Sequence, residues 1–232
     1  NTEYKWYQSQ TATVQALQFG MVPENDIQKV VNGLAYNITE VKGGHHATGI
    51  HGNRYIYTVL TKYGKEDLAY DILTTPEFPS QTYVMNSGFT TWPERQFEWE
   101  KMEGPTNSLN HPMHSGFAAY FYESLGGIKS SKDKPGYKEF IVDPKFPKQV
   151  SHTEVSVPTP YGAIDSKWSL ENGNFDMELS VPFNTSALLP LNENEKNSLK
   201  INGTDWQTFQ QEPISNNEVR LGSGTYKISY KK

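Results

Sequence analysis

The chain has 232 residues, a formal net charge of −5 at pH 7, 13% aromatic residues and no cysteine. The acidic balance argues against nucleic acid and anionic membrane surfaces as partners, and the lack of cysteine excludes disulfides, thiolate catalysis and cysteine-ligated metals. Abundant aromatic rings suit carbohydrate binding as well as core packing. A cysteine-free chain fits a bacterial periplasmic or secreted location, and a cytoplasmic one is also open.

Residues 1 to about 128 carry apolar side chains at helical spacing, which predicts a series of helices. In the clearest one, Asn25 is the expected N-cap and Gln28 completes a capping-box pattern. Loops rich in glycine, proline and threonine separate the helices, and the pattern indicates helical hairpins. The predicted helices lie, in chain order, at about 7–21, 27–41, 55–63, 68–73 and 117–125.

Residues 129–136 are polar and rich in helix breakers, and we interpret them as a linker. Beyond the linker the apolar period changes to two, which predicts strands. Asn172-Gly173 lies between two such strands, and this pair of residues is typical of a tight β-hairpin. We therefore predict an α + β multidomain chain, in which a helical domain at 1–128 is followed by an antiparallel β-sandwich at 137–232.

One acidic residue stands out because of its neighbours. Glu94 follows Trp92 and Pro93, precedes Arg95, and is soon followed by His111. A carboxylate among aromatic and basic groups can act as a general base. The alternative is a surface glutamate whose charge meets the dipole of a helix N-terminus after a proline.

Other side chains near Glu94 are candidates for binding a sugar. Trp92, Phe97 and Trp99 could provide a stacking platform, although aromatic residues near a turn often belong to the core. Arg95 could bind an acidic sugar or pair with a glutamate. Glu98, Glu100 and Glu103 form an acidic run that is most simply a solvated face.

Three histidines in one predicted loop, His45, His46 and His51, raise the question of a metal site. Their spacing does not place them on one helical face, and no carboxylate completes a ligand set. We predict neither a metal nor a cofactor. A role for His46 in lining a sugar site fits the loop better than metal binding.

The motifs of this chain, taken in order, resemble the C-terminal part of the family 78 glycoside hydrolases, the α-L-rhamnosidases. Their joint order and spacing carry the resemblance over most of the chain. The motifs are QTA at residues 10–12 with FGMVP at 19–23, GH at 44–45 with TG at 48–49, DLAY at 67–70, GFTTWPER at 88–95, NSLNH at 107–111, PGY at 135–137, TPYG at 159–162, Trp168 and VPFNT at 181–185.

The resemblance implies the second half of an (α/α)6 barrel followed by a C-terminal β-sandwich. It implies hydrolysis of terminal α-L-rhamnosyl or related deoxysugar bonds with inversion, with Glu94 as the general base and a general acid upstream of this chain. His111 falls on a histidine of the family's sugar subsite, and Trp92, Arg95, Asn110 and His46 are the further predicted substrate-binding residues. Pro93 and Gln96 stand where the family has tryptophan, which bears on sugar specificity.

Two other functions stay open on the sequence. A helical toroid with a β-sandwich also suits a polysaccharide lyase, in which Asn110, His111, Arg95 and Tyr120 could serve. A carbohydrate-binding or structural fragment without its own activity is the third reading. The expected partners are a glycoside or oligosaccharide substrate and further protein, from the same enzyme or a second chain, that covers the apolar faces of the helices.

Overall fold

The structure is a computed structural model and describes residues 4–96, 98, 108–209 and 218–232. Residue contacts divide it after Tyr120 into two compact units. The first is helical and the second is built of strands, as the change of apolar period predicts. The limits that the sequence suggested for the two domains, 1–128 and 137–232, stay a prediction, because a division by contacts does not test which segments fold on their own.

The helical unit is organised around one central helix. This helix, α3 at Ile50–Lys62, packs against α1 at Gln10–Gln18, against α4 at Glu66–Thr74 and against a 3₁₀ segment at Pro112–Ala118. Its buried face carries Ile56, Tyr57 and Leu60. The α-helices among the described residues of this unit are α1 Gln10–Gln18, α2 Ile27–Tyr36, α3 Ile50–Lys62, α4 Glu66–Thr74 and α5 Gln81–Asn86.

Local sequence explains where several of these helices begin and end. The Ser9 and Ser80 side chains cap α1 and α5 by accepting hydrogen bonds from Ala12 N and Tyr83 N. Gly64 follows α3 with a φ of +74°, a backbone conformation that residues other than glycine seldom adopt. The serine cap was the available sequence signal for α5, a short helix that the apolar pattern did not predict.

One detail of the predicted helices is wrong, and one predicted helix differs in type. Asn25 does not cap α2, because Pro23 starts a 3₁₀ turn at Glu24–Asp26 and the chain is already helical at that point. The predicted helix at 117–125 is irregular. It consists of the end of the 3₁₀ segment, two residues in α-helical conformation at 119–120 and a π-helical turn at Phe121–Leu125.

The second unit is a sandwich of two sheets. One sheet has the order β1-β2-β6-β9 and the other the order β3-β4-β5-β10-β7-β8. All pairings are antiparallel except that of β2 with β6. The strands described are β1 Ile128–Ser130, β2 Glu139–Val142, β3 His152–Thr159, β4 Gly162–Glu171, β5 Asn174–Val181, β6 Ser186–Pro190, β7 Lys200–Ile201, β8 Thr204–Asp205, β9 Glu218–Leu221 and β10 Gly224–Lys231.

The tight hairpin predicted from Asn172-Gly173 is confirmed. These two residues connect β4 and β5 with φ values of +50° and +76°, and Glu171 pairs with Asn174 across the turn. Positive φ at both central residues is the geometry that matches the twist of the flanking strands. By contrast, β9 and β10 lie in different sheets, so the glycine-rich segment between them connects the two layers.

The core of the sandwich lies between the two sheets. Trp168 is its largest buried side chain, and its indole N–H donates to the Leu125 carbonyl at 2.7 Å. The Trp168 ring packs edge-on against Phe146, which also contacts Phe175. The indole thus has its one polar atom satisfied, as burial of a tryptophan requires.

Candidate active site

The segment that carries Glu94 is held in place by a second segment, residues 108–111. Glu94 N donates to Ser108 O at 2.8 Å, and His111 N donates to Trp92 O at 2.7 Å. The Thr91 hydroxyl adds a bond to Leu109 O at 2.7 Å. The two motifs that the sequence analysis singled out, at 88–95 and 107–111, therefore meet in space, and their backbones define the position of Glu94.

A buried histidine also supports the segment that carries Glu94. The His114 side chain is 3% exposed, and its Nδ1 lies 2.7 Å from the Pro93 carbonyl oxygen. Since a carbonyl only accepts, Nδ1 carries the proton of this bond. Burial lowers the pKa of His114 below its ordinary value, against the raising effects of the bond to Pro93 and of the nearby Glu94 charge. The ring is therefore neutral at neutral pH.

His114 is in turn tied to the centre of the helical unit. The Asn53 side chain, on α3, donates from Nδ2 to His114 O at 2.8 Å. Asn53 Oδ1 accepts from Gln81 Nε2 at 2.8 Å, and Gln81 also donates to the Tyr57 hydroxyl at 3.1 Å. Asn53, Tyr57 and Gln81 are all at most 1% exposed. Buried polar groups that bond to one another in this way rigidify their surroundings, and Oε1 of Gln81 has no partner among the described residues.

The six predicted site residues differ in their accessibility. Glu94, Trp92 and His111 are half-buried, while Arg95 and Asn110 are exposed. These five come from the two paired segments and so lie in one region of the helical unit. His46 belongs to a separate loop and is the most buried of the six.

Trp92 and His111 have distinct surroundings. The Trp92 ring packs edge-on against Phe117 with centroids 4.8 Å apart. The Nδ1 atom of His111 is buried and has no hydrogen-bond partner among the described residues, and the same holds for Nε2 of Gln96. Polar atoms left unpaired in a buried place cost free energy, so they are candidates for contacts with groups that the described residues do not supply.

His46 is 2% exposed and packs edge-on against Tyr57, with its Nδ1 3.3 Å from the Thr48 hydroxyl. Burial, together with smaller effects of the neighbouring His114 and His45, lowers the pKa of His46 to about 4. The ring is thus neutral and part of the core. Its predicted role in lining a sugar site stays a prediction.

Part of the predicted stacking platform and of the acidic run, namely Phe97, Trp99, Glu100 and Glu103, lies outside the described residues. Within the described ranges no cluster of three or more histidine, cysteine, aspartate or glutamate side chains could hold a metal ion. No helix in that part of the chain is both long enough and apolar enough to cross a membrane. Tyr120, which the lyase reading would use, is fully buried, and burial raises the pKa of its hydroxyl.

Asn53, Gln81 and His114 were not among the site residues predicted from the sequence. A signal for Asn53 was present, because Asn53, Ile56, Tyr57 and Leu60 follow helical spacing on the buried face of α3. A polar residue on an apolar face predicts a buried partner. The identity of that partner, the His114 backbone, comes from a segment 61 residues away in the chain, and no local pattern encodes it.

Family models match nearly all of the chain outside its C-terminal end. The model described as the bacterial α-L-rhamnosidase six-hairpin glycosidase domain matches residues 4–125. The model described as the bacterial α-L-rhamnosidase C-terminal domain matches residues 127–204.

Similar proteins carry the same description. An α-L-rhamnosidase of Formosa agariphila is 70% identical over 100% of this chain and 25% of its own length. The solved structure of an α-L-rhamnosidase from Dictyoglumus thermophilum matches 98% of this chain and 26% of its own with a TM-score of 0.84 at 29% identity. The Streptomyces avermitilis α-L-rhamnosidase in complex with L-rhamnose matches 96% of this chain and 21% of its own with a TM-score of 0.81 at 26% identity. The chain thus spans about a quarter of the length of these relatives.

Proposed function

The chain belongs to the bacterial α-L-rhamnosidase family, and from this premise we propose that it forms part of an enzyme that hydrolyses terminal α-L-rhamnosyl or closely related deoxysugar bonds. The named relatives support the substrate class. The chain corresponds to about a quarter of the Formosa protein, so the reaction is proposed for the complete enzyme. Its location is proposed as periplasmic or secreted.

In the proposed reaction Glu94 is the general base. Its carboxylate takes a proton from a water molecule, which attacks the anomeric carbon from the face opposite the leaving group, so that the configuration inverts. A general acid, supplied by protein beyond this chain, protonates the departing oxygen. In inverting glycosidases the two carboxyl groups stand roughly 6.5–9.5 Å apart, which leaves room for the water.

The observation that carries this proposal is the backbone pairing between residues 91–94 and 108–111. It holds Glu94 in a fixed, half-buried position and brings it into one region with Trp92 and His111. A general base has to be held in register with its water to be effective. A glutamate with a purely solvating role needs no such support.

We propose that the sugar is bound by side chains around Glu94. His111 offers a buried Nδ1 without a partner among the described residues, which suits a hydrogen bond to a sugar hydroxyl. Trp92 presents a half-exposed ring for stacking, and Asn110 and Arg95 offer exposed polar groups. His46, which is buried, is a further proposed member of this set.

Further protein is proposed to cover the helical unit. Large apolar side chains stand more than half exposed on it, among them Phe19, Met21 and Met85 at 59%, 64% and 61%. Exposed apolar groups of this size often mark a surface that another part of the protein covers. The remaining three quarters of the relatives' length is the natural source of that cover.

Glu94→Gln in the complete enzyme tests the proposal. With an aryl α-L-rhamnoside as substrate, we expect kcat to fall by about 100- to 10,000-fold, because the amide cannot accept the proton of the attacking water. Glu98→Gln is the matched control, with the same chemical change four residues along the chain, and we expect nearly wild-type turnover. Unchanged turnover in Glu94→Gln would refute the assignment, and a comparable loss in Glu98→Gln would place a second essential carboxylate within this chain.

A further inference from the structure

The peptide group between Pro93 and Glu94 is held at both of its polar atoms. Its carbonyl oxygen receives the hydrogen bond from His114 Nδ1, at 2.7 Å. Its N–H, which belongs to Glu94, donates to Ser108 O at 2.8 Å. A peptide group is planar, so fixing both ends fixes the orientation of the plane from which the Glu94 side chain departs.

We propose that His114 is a positioning residue for Glu94, acting through the Pro93 carbonyl rather than by contact with the substrate. This inference rests on the proposed function, since His114 has a positioning role only if the Glu94 carboxylate must be aimed at a water molecule. It adds to that function a residue outside the predicted substrate-binding set.

The support for His114 extends well beyond its own segment. Asn53 holds the His114 backbone from α3, and Gln81 holds Asn53 from α5. Because these side chains are buried, solvent does not compete for their hydrogen bonds. The Pro93–Glu94 peptide is therefore connected through hydrogen bonds to α3 and α5. A shift of the His114 donor would move this peptide and with it Glu94.

A positioning role makes a specific kinetic prediction. Loss of the donor leaves the carboxylate chemically intact but loosely aimed, so kcat falls while KM changes little. Small misplacements of a catalytic group typically lower rates by about 10- to 100-fold. If His114 served in packing alone, kcat would vary with the volume of the side chain at this position instead of with its hydrogen-bonding capacity.

Three substitutions at this position separate the two roles. His114→Asn places an amide N–H near the position of Nδ1, while His114→Gln places it near that of Nε2. His114→Phe keeps the ring volume and removes the donor. His152→Asn, on the exposed start of β3, controls for the loss of a histidine elsewhere.

We expect kcat on an aryl α-L-rhamnoside to fall by about 10- to 100-fold in His114→Phe and His114→Gln, with KM within about threefold of wild type. His114→Asn should recover most of the lost kcat, and His152→Asn should match wild type. Thermal unfolding midpoints, measured on each variant, show whether the losses of kcat occur in folded enzyme.

Two results would overturn the inference. One is wild-type kcat in a folded His114→Phe enzyme whose Glu94→Gln counterpart is inactive. The other is a kcat that follows ring volume, with Phe active and Asn inactive at equal stability. A complete enzyme in which Glu94→Gln is fully active would instead refute the proposed function, and this outcome is read from a different variant.

Discussion

At the residue scale, three histidines have different surroundings in the structure, and these surroundings distinguish roles that the sequence alone did not. His111 is half-buried with an unpaired Nδ1 among the described residues, whereas His114 uses its Nδ1 to hold the Pro93 carbonyl. His46 is buried against Tyr57. The same side chain thus serves a proposed substrate contact, a backbone support and a core position, and the difference lies in what its nitrogens face.

Burial of His46 predicts a dependence of stability on pH. The unfolded chain binds a proton at His46 below its ordinary pKa of 6.5, and the folded chain only below about 4. The stabilisation from the neutral ring is complete above the unfolded value and is lost as the pH falls towards about 4. The fall in pKa corresponds to about 3 kcal/mol of unfolding free energy.

His46→Phe isolates this contribution because it keeps an aromatic ring against Tyr57 and removes the titrating group. Between pH 7 and pH 4 the unfolding free energy of wild type should drop by about 3 kcal/mol more than that of the variant. Denaturant unfolding at a series of pH values measures the difference. Parallel pH profiles for the two proteins would show that His46 titrates normally in the folded state.

At the element scale, the β unit follows its sequence closely where turn chemistry is explicit. Asn172-Gly173 and Asn202-Gly203 both have positive φ and close the β4–β5 and β7–β8 hairpins. Other connections depend on space rather than on turn type. Gly127, which precedes β1, has a φ of +75°, and a Cβ there would lie 2.2 Å from Pro144 N.

Gly127→Ala and Gly136→Ala form a matched pair. Both glycines have a φ of +75°, but a Cβ at Gly136 would meet nothing within 4 Å. Gly136→Ala should cost only the left-handed backbone, about 1–2 kcal/mol, while Gly127→Ala adds a clash with fixed backbone and should cost about 3 kcal/mol or more.

Thermal or denaturant unfolding of the two variants checks this order. Equal destabilisation would mean that the chain around Pro144 relaxes to admit the methyl group. Because both positions have the same φ, the cost of the left-handed backbone conformation cancels in the comparison, and the difference in unfolding free energy reports the clash.

The contrast between local turn chemistry and contacts between distant segments also explains how far the sequence predicts the structure. Periodicity and local signals predicted the 55–63 part of α3 and the Asn172-Gly173 hairpin, because those elements depend on neighbouring residues. They failed for the Asn25 cap, where Pro23 had already started a turn. They could not find the bond from His114 to Pro93, because it joins residues 21 apart through a fold that depends on α3 and α5.

For the site, the sequence brought forward Glu94 and its neighbours, since the order of motifs is a linear property. The pairing of residues 91–94 with 108–111 agrees with that order. The supporting residues Asn53 and Gln81 are visible only in three dimensions, because they bond to each other and to the His114 backbone from different helices. Support of this type is distributed over several elements, while the reacting group lies in one.

At the scale of the whole molecule, the chain contains one side of a proposed active site. It covers about a quarter of the Formosa α-L-rhamnosidase, and its helical unit presents exposed apolar side chains such as Met21. A base without its acid cannot complete the proposed inversion. We therefore expect turnover from the complete enzyme, and none from this chain supplied alone.

The most direct test of Glu94 as the catalytic carboxylate on the face opposite the leaving group is the product that the complete Glu94→Ala enzyme forms from an aryl α-L-rhamnoside in the presence of azide. The substitution opens space on the face where the water would be activated, and azide needs no base to attack. The product, identified by its anomeric proton in NMR, should be β-L-rhamnosyl azide, with turnover restored above the azide-free rate. An α-configured azide, or wild-type hydrolysis by Glu94→Ala without azide, would contradict the assignment.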